Sequence, residues 1–418
     1  MSSLIDPLLI FVDGFIYWIS TSTLTELTGH LLIPILLDFV RSYGKTVFLL
    51  LHAVVMKIRG DSGKTFSEMP GVSIIIPAHN EENSIIRSIE SALETNYPNK
   101  EVIVVDDGSA DRTYQRALPY AKKGLIKLAR RSGSGSKAGA VNYGLFFAKN
   151  DIITVVDADT LIERNSVRKL VKPFTDPSVI AVSGNVRILG GDNDRDNLLV
   201  KLQSYEYVLS LDMGRRFNAI TGTIMIIPGA FGAFRREIVK SVGGYDTDTI
   251  TEDFDVTLKM LKVKGRITFA GDAISWTFAP DTWSAWRRQR IRWTRGQIET
   301  LHKHRNVFSN QRFGWSMITA YYDMFFMDFA NLLIKTVWMV MLPFFYSEIL
   351  GYVLFLVSIL YLVSEALSFV TVSLLSSRRD LLTKVYLIPL MVFFYRPYYG
   401  LVRLKGYFDW FQGTAGRW

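Results

Sequence analysis

The sequence predicts an α/β domain held between apolar, membrane-directed ends, and three observations lead there. Runs rich in β-formers alternate with helical patterns across the middle of the 418-residue chain, over about 70–310. Hydrophobic residues make up 49% and aromatics 13%, with a mean hydropathy of +0.18, and the excess lies in 1–60 and 311–418. Immediately before the C-terminal apolar region, Arg287 to Arg305 holds seven Lys/Arg residues and one acid, Glu299. Basic residues beside apolar spans read as positive-inside anchoring, which places the middle domain in the cytoplasm and makes the chain a multi-pass protein of the cell membrane. The net charge of +9 then suits anionic lipid rather than nucleic acid, because no recognition helix or aromatic RNA-binding pattern accompanies it. With no cysteine, disulfides and thiolate metal sites are excluded.

In chain order, apolar runs come first, at Leu8–Ile19 and Leu31–Ile58. Asp38, Arg41 and Lys45 interrupt the second. A membrane helix needs roughly 20 mostly apolar residues, so one span is expected near Thr46–Ile58 with its upstream neighbours. The first run either spans too or lies at the interface. Met1 to about Ser20 lacks a basic n-region and a small-residue cleavage site, so it reads as a retained segment and not a signal peptide.

Strands are expected at Val72–Pro77, Glu101–Asp106, Leu125–Ala129, Asp151–Asp157 and Arg266–Ala270. Between them Ile85, Ile89 and Leu93, then Ala138, Asn142 and Leu145, recur at helical spacing. Such alternation predicts a largely parallel sheet with helices on both faces and ligands beyond the carboxyl ends of its strands. After 311, spans are expected at Ala330–Phe345, Tyr352–Val372 and Val385–Val402, the last bent or made re-entrant by Arg396-Pro397. Ser316–Met327 mixes apolar and polar groups in the manner of an interfacial helix.

Four motifs carry chemistry, each with a plainer alternative. Val104-Val105-Asp106-Asp107-Gly108-Ser109 closes a strand; its carboxylates can accept hydrogen bonds from a base or ribose, or the segment is a capped turn. In Val155-Val156-Asp157-Ala158-Asp159 two carboxylates can converge as hard oxygen ligands for Mg²⁺ or Mn²⁺, or form a polar turn. Thr251-Glu252-Asp253 precedes an amphipathic helix carrying Val256 and Met260: one carboxylate is a general base, or both serve the positive helix end. In Gln289-Arg290-Ile291-Arg292-Trp293, tryptophan can face a sugar ring and arginine a diphosphate, or both anchor at lipid headgroups.

All four in this order, over Val72 to Trp293, resemble the family-2 glycosyltransferases, and among them the processive membrane synthases of cellulose, hyaluronan, chitin and poly-N-acetylglucosamine. The resemblance implies the GT-A fold of nucleotide-diphospho-sugar transferases, a Rossmann-like mixed sheet with helices on both faces, plus N- and C-terminal transmembrane helices. It implies that Asp107 contacts the uracil of a UDP-sugar, that Pro77, Ala78 and Glu81 line the nucleotide pocket, and that Lys137 approaches the donor. Asp157 and Asp159 would bind the diphosphate through the divalent metal, and Asp253 would be the catalytic base. Gln289, Arg292 and Trp293 match the QxxRW signature that holds the acceptor end and the leaving diphosphate. Pro228-Gly229-Ala230-Phe231 stands where the family places an acceptor-side loop, without its cysteine, and Gly413–Trp418 only loosely matches the ending of hyaluronan synthases. The chain also lacks the long regulatory domain of bacterial cellulose synthases, which points to the smaller synthases as nearer relatives.

The expected reaction is a single-displacement, inverting transfer to the end of a growing β-linked polysaccharide, coupled to export through the membrane. A rival is a single transfer onto a polyprenyl phosphate or other lipid, disfavoured by Gln289–Trp293. A non-catalytic nucleotide-binding scaffold would need neither Asp253 nor that signature. The sugar stays open, as does an accessory subunit or a second copy of the chain as partner.

Overall fold

The computed structural model describes all residues except 1, 35–37, 60–68, 134–135, 193–195, 264, 310–313, 377–379 and 414–418. Three helices open the chain: α1 (Ser2–Thr21), α2 (Leu24–Pro34) and α3 (Val40–Arg59). The sheet domain begins with β1 (Val72–Ala78), α4 (Ile85–Leu93), β2 (Lys100–Asp106), α5 (Thr113–Lys122), β3 (Lys127–Arg130) and α6 (Lys137–Phe147). It continues with β4 (Ile152–Val156), β5 (Leu161–Ile162), α7 (Ser166–Val171), β6 (Val179–Gly191) and α8 (Leu198–Tyr207). A π-helical turn, Val208–Met213, leads into α9 (Gly214–Thr221), and β7 (Phe231–Arg235), α10 (Arg236–Ser241), α11 (Glu252–Leu261), β8 (Arg266–Ala279) and α12 (Trp283–Lys303) follow. The C-terminal part holds α13 (Trp315–Tyr322), α14 (Asp328–Phe345), α15 (Leu350–Leu375), the single turn α16 (Ile388–Leu390) and α17 (Arg396–Phe411).

The eight strands form one sheet in the order β3-β2-β1-β4-β7-β6-β8-β5. Its first half is parallel as expected, with β1 between β2 and β4. Its second half is mixed: β7 runs antiparallel to both β4 and β6, and β5 antiparallel to β8. The expected strands did not include the two-residue β5, nor β6 or β7. The first ten residues of β6 are all buried, so no alternation marks it, and β7 is a five-residue strand with Gly232 inside.

Alternation along β1 divides the core. Val72, Ile74 and Ile76 face one way and pack with Ile85, Ile89 and Ala92 of α4 and with Val167 and Leu170 of α7. Ile75 faces the other way, with Ala138, Val141 and Leu145 of α6 and with Val256 and Met260 of α11. Each such side chain contributes about 1.5–3 kcal/mol by leaving water.

After β1 the chain moves outward through β2 and β3, then crosses back to lay β4 on the other side of β1. The crevice beyond the carboxyl ends of β1 and β4 is therefore the topological switch point, where open α/β sheets bind ligands.

Three helices, all C-terminal, are long and apolar enough to cross a membrane among the described residues: Trp315–Phe345, Leu350–Leu375 and Leu382–Phe411. Ser316–Met327 runs on without a break into the first of these, through a π-turn at Asp323–Met327. At 31 residues this helix is about 46 Å long, well beyond the ~30 Å hydrocarbon core. The last helix continues through Arg396-Pro397 rather than turning back. A π-turn, Met391–Tyr395, immediately precedes Arg396-Pro397, an irregularity beside the residue whose missing N–H interrupts the helical ladder. The apolar stretch of α1 is the shorter Leu9–Thr21, and Phe11, Phe15 and Trp18 pack on Tyr352 and Phe355 of α15. The helix α3 carries Arg41, Lys45, Lys57 and Arg59 and packs along α15. Of the C-terminal Gly413–Trp418, residues 414–418 lie outside the described residues.

Candidate active site

Two loops beyond β1 and β2 are fastened to each other by short polar side chains. The Asp107 N–H donates to the Ala78 carbonyl at 2.8 Å, and His79 Nδ1–H donates to the Asp107 carbonyl at 2.9 Å. Asn80 adopts a left-handed φ of 57°; its N–H donates to Ser109 Oγ at 3.0 Å and its Oδ1 accepts from the Ala110 N–H at 2.9 Å. Glu81 N–H donates to Thr113 Oγ1 at 2.7 Å. At Gly108, with φ 71°, a Cβ would stand 2.5 Å from the Gly133 nitrogen, so only glycine fits. Asp107 is buried and pairs with Arg131 Nε at 3.4 Å, while Asp106 pairs with Arg130 Nε at 3.0 Å.

The second group lies one strand across, beyond β4. Asp157 forms an ion pair with Lys137, the first residue of α6, and the same ammonium stands 3.7 Å from Glu252 Oε1. Burial would lower the Lys137 ammonium, but the facing carboxylates of Asp157 and Glu252 outweigh it and hold the group above its ordinary range. Burial raises Asp159 to about 7, helped by the charges of Asp157 and Glu81. Glu81 is raised too, by burial and then by Asp157 and Asp111, against a hydrogen bond from Ser84 Oγ at 2.5 Å.

Asp253 closes the cluster. Its Oδ2 accepts from the Gly229 N–H at 3.1 Å and its Oδ1 from the Phe254 N–H at 2.8 Å. Burial raises its carboxyl; Lys137 and those two donors pull it down without cancelling the rise. Glu252 and Asp253 begin α11, as the helix-end reading expects, and Glu252 also faces the ammonium shared with Asp157. A Cβ on Gly229 would stand 2.6 Å from Lys137 Nζ, so the Pro228–Phe231 loop leaves room for this convergence. Asn142, one turn into α6, holds the Gly243–Tyr245 turn by accepting from the Tyr245 N–H at 2.9 Å and donating to its carbonyl at 2.7 Å.

Gln289, Arg292 and Trp293 share one face of α12, at i, i+3 and i+4. The helix lies against the residue before Glu252: Thr251 Oγ1 and Thr300 Oγ1 are 2.9 Å apart, and Gly296 gives Thr251 the space a side chain would fill. Arg290, within the same Gln289–Trp293 segment, is its buried member, 1% exposed and paired with Glu206. Nothing in the sequence marks Glu206 as the partner of Arg290 or Asn142 as that of Tyr245, because both pairings depend on elements brought together by the fold.

Among the described residues no group of three or more His, Cys, Asp or Glu side chains could hold a metal ion alone. Two carboxylates, Asp157 and Asp159, nevertheless fit a small divalent cation, which takes one or two carboxylates and completes its shell with water and substrate phosphates. Mutual repulsion among Asp157, Asp159 and Glu81 is what such a cation would relieve.

The chain resembles known glycosyltransferases in sequence and in fold. Residues 73–243 match the glycosyl transferase family 2 model. A poly-beta-1,6-N-acetyl-D-glucosamine synthase of Staphylococcus epidermidis is 31% identical over 235 residues, 56% of this chain and 56% of that protein. Its counterpart in Staphylococcus aureus (strain MSSA476) is 30% identical over 246 residues, 59% of this chain and 58% of that protein. The match thus spans little more than half the length of these relatives. A mannosyltransferase from Pyrobaculum calidifontis, solved with GDP-Man and Mn²⁺, shares the fold: the TM-score is 0.60 at 20% identity, over 91% of this chain and 99% of that one.

Proposed function

We propose that this chain, which carries a glycosyl transferase family 2 domain with the GT-A fold, transfers a sugar from a UDP-sugar to the end of a growing β-linked polysaccharide, with inversion. One observation carries the reading: Lys137 joins Asp157, at the donor side of the switch-point crevice, to Glu252 beside Asp253. Pro77, Ala78 and Glu81 line the nucleotide side, with Asp107 toward the base. Gln289, Arg292 and Trp293 hold the acceptor end, on a helix that rests against Thr251. Relatives named as poly-N-acetylglucosamine synthases make UDP-N-acetylglucosamine the first donor to test.

Asp157 and Asp159 would hold Mg²⁺ or Mn²⁺, which when bound neutralises the diphosphate and favours its departure. The Asp253 carboxylate takes the proton of the acceptor hydroxyl as that oxygen bonds to the anomeric carbon; the bond to the diphosphate breaks on the opposite face, and UDP leaves with its electrons. Lys137 remains protonated throughout, and its charge favours the ionised form of Asp253. The basic face of α12 supports a cytoplasmic position for the sheet domain. Three C-terminal helices beside it support export of the product through the membrane.

The test is a panel of UDP-sugars given to membranes containing the protein, with UDP release and product length on a gel as readouts. Long products from one donor, abolished by EDTA, are expected. Single additions to a lipid would replace the polysaccharide reading, and EDTA-resistant synthesis would remove the metal role of Asp157 and Asp159.

A further inference from the structure

One cation in the Gln289–Trp293 turn has no task in the proposed reaction. Arg290 is buried, and its Nη2 donates to Glu206 Oε2 at 2.8 Å from the end of α8. Its guanidinium carbon stands 4.3 Å from the centroid of the Trp293 ring, and 5.7 and 5.5 Å from those of Trp286 and Tyr399. The same Glu206 oxygen accepts from Tyr395 Oη at 2.5 Å, and Tyr395 Oη accepts from Trp286 Nε1 at 2.9 Å. Three elements therefore meet on one carboxylate: α8 of the sheet domain, the amphipathic α12, and the π-turn of the last membrane helix.

Holding helices together does not by itself require this arrangement. An apolar residue would pack α12 against α17 without the desolvation of a buried ion pair. What a guanidinium adds is a plane that stacks on an aromatic face and a fork that fixes its own orientation on a carboxylate. Here the carboxylate is itself held by the Tyr395 hydroxyl, so the plane presented to Trp293 is set from the membrane side.

We propose that Arg290, held by Glu206 and Tyr395, is a positioning residue that fixes the indole of Trp293 and so ties the acceptor end of the site to the last membrane helix. The proposal rests on the reading of Trp293 as an acceptor contact. Acceptor binding, rather than donor binding or the chemical step, depends on the Tyr395 hydroxyl and the Glu206 charge.

The full chain in lipid nanodiscs, labelled with 5-fluorotryptophan, tests this by fluorine NMR, with the Trp293 resonance assigned from Trp293→Phe. Tyr395→Phe and Glu206→Gln are expected to shift or broaden that resonance. Tyr398→Phe, whose ring stacks on Trp286 at 5.6 Å but whose hydroxyl is outside this chain of bonds, is expected to leave it in place. Arg290→Lys keeps the charge without the plane and is expected to disturb Trp293 as the first two do. With UDP-N-acetylglucosamine, Tyr395→Phe and Glu206→Gln raise the acceptor KM roughly tenfold and shorten the product, with kcat within about twofold, as expected when uniform binding is lost. An unmoved Trp293 resonance in both variants overturns the proposal. So does a matching loss of kcat and donor binding, which is what general loosening of the fold produces. If the unaltered protein extends no acceptor, the polysaccharide reading fails instead, and the fluorine comparison still decides the link from Tyr395 to Trp293.

Discussion

At Asp253 two opposing influences act on one carboxyl group. Lys137 and two backbone donors favour the carboxylate, while burial disfavours it more, and the balance lies above the ordinary aspartate range of about 3.9. A base with a raised pKa loses activity at a higher pH than an ordinary carboxylate would, so the acid limb of the pH–rate profile is expected above that range. A limb at or below about pH 4 would contradict it. Gly229→Ala makes a second prediction here. The added methyl crowds the end of the Lys137 side chain and makes no more than ordinary contact with Glu252 Oε1, so folding is expected to survive while transfer falls roughly tenfold or more, read as a rate loss at unchanged melting temperature. The sequence made the carboxylates of this site legible because strand ends followed by acidic residues stand out. It could not show that Lys137 links them, because that contact joins the start of α6 to the start of α11, 115 residues further on.

Elements place these residues more firmly than loops would. Asn142 of α6 makes both hydrogen bonds to Tyr245 and so fixes the turn that leads to Glu252. Asn142→Ala would leave buried backbone groups of that turn unsatisfied, at a cost of about 1–3 kcal/mol, measurable as a lowered denaturation midpoint. On its far side α11 is clamped to α12: Lys303 stands 3.0 Å from Asp255 and 2.7 Å from Asp246, while Lys259 pairs with Asp246 at 2.5 Å. Burial alone would raise Asp246, but the hydrogen bonds and charges of Lys259 and Lys303 hold it below its ordinary value. Its contribution to stability is therefore present above the unfolded pKa and fades as pH falls through the folded one. Asp246→Asn is expected to destabilise the protein at neutral pH and to match the unaltered chain in strong acid. Helical periodicity gave α4 and α6 directly. The strands β6 and β7 escaped because burial on both faces erased alternation in one and shortness hid the other.

For the whole molecule, the decisive feature is how the sheet domain meets the long apolar helices of the C-terminal part. Tyr205 of α8 stacks on Phe369 of α15 at 4.7 Å with the rings nearly parallel, and Trp286 of α12 sits in the same cluster as Val372, Met391 and Tyr395. Composition alone located the three C-terminal helices that are long and apolar enough to cross a membrane, whereas the span expected near Thr46–Ile58 is not among such helices in the described residues, because α3 carries Arg41, Lys45, Lys57 and Arg59. The docking surface was not legible: Tyr205 and Phe369 are ordinary apolar positions until the fold pairs them.

In the proposed reaction a sugar is transferred at the Lys137–Asp253 crevice with Asp253 as base. The direct test is Asp253→Asn in membranes, measuring incorporation from UDP-N-acetylglucosamine and binding of the same donor side by side. Incorporation is expected to fall by at least about a thousandfold while donor affinity stays within about threefold, the pattern of a lost transition-state contact. Normal incorporation by the Asp253→Asn protein would contradict the account.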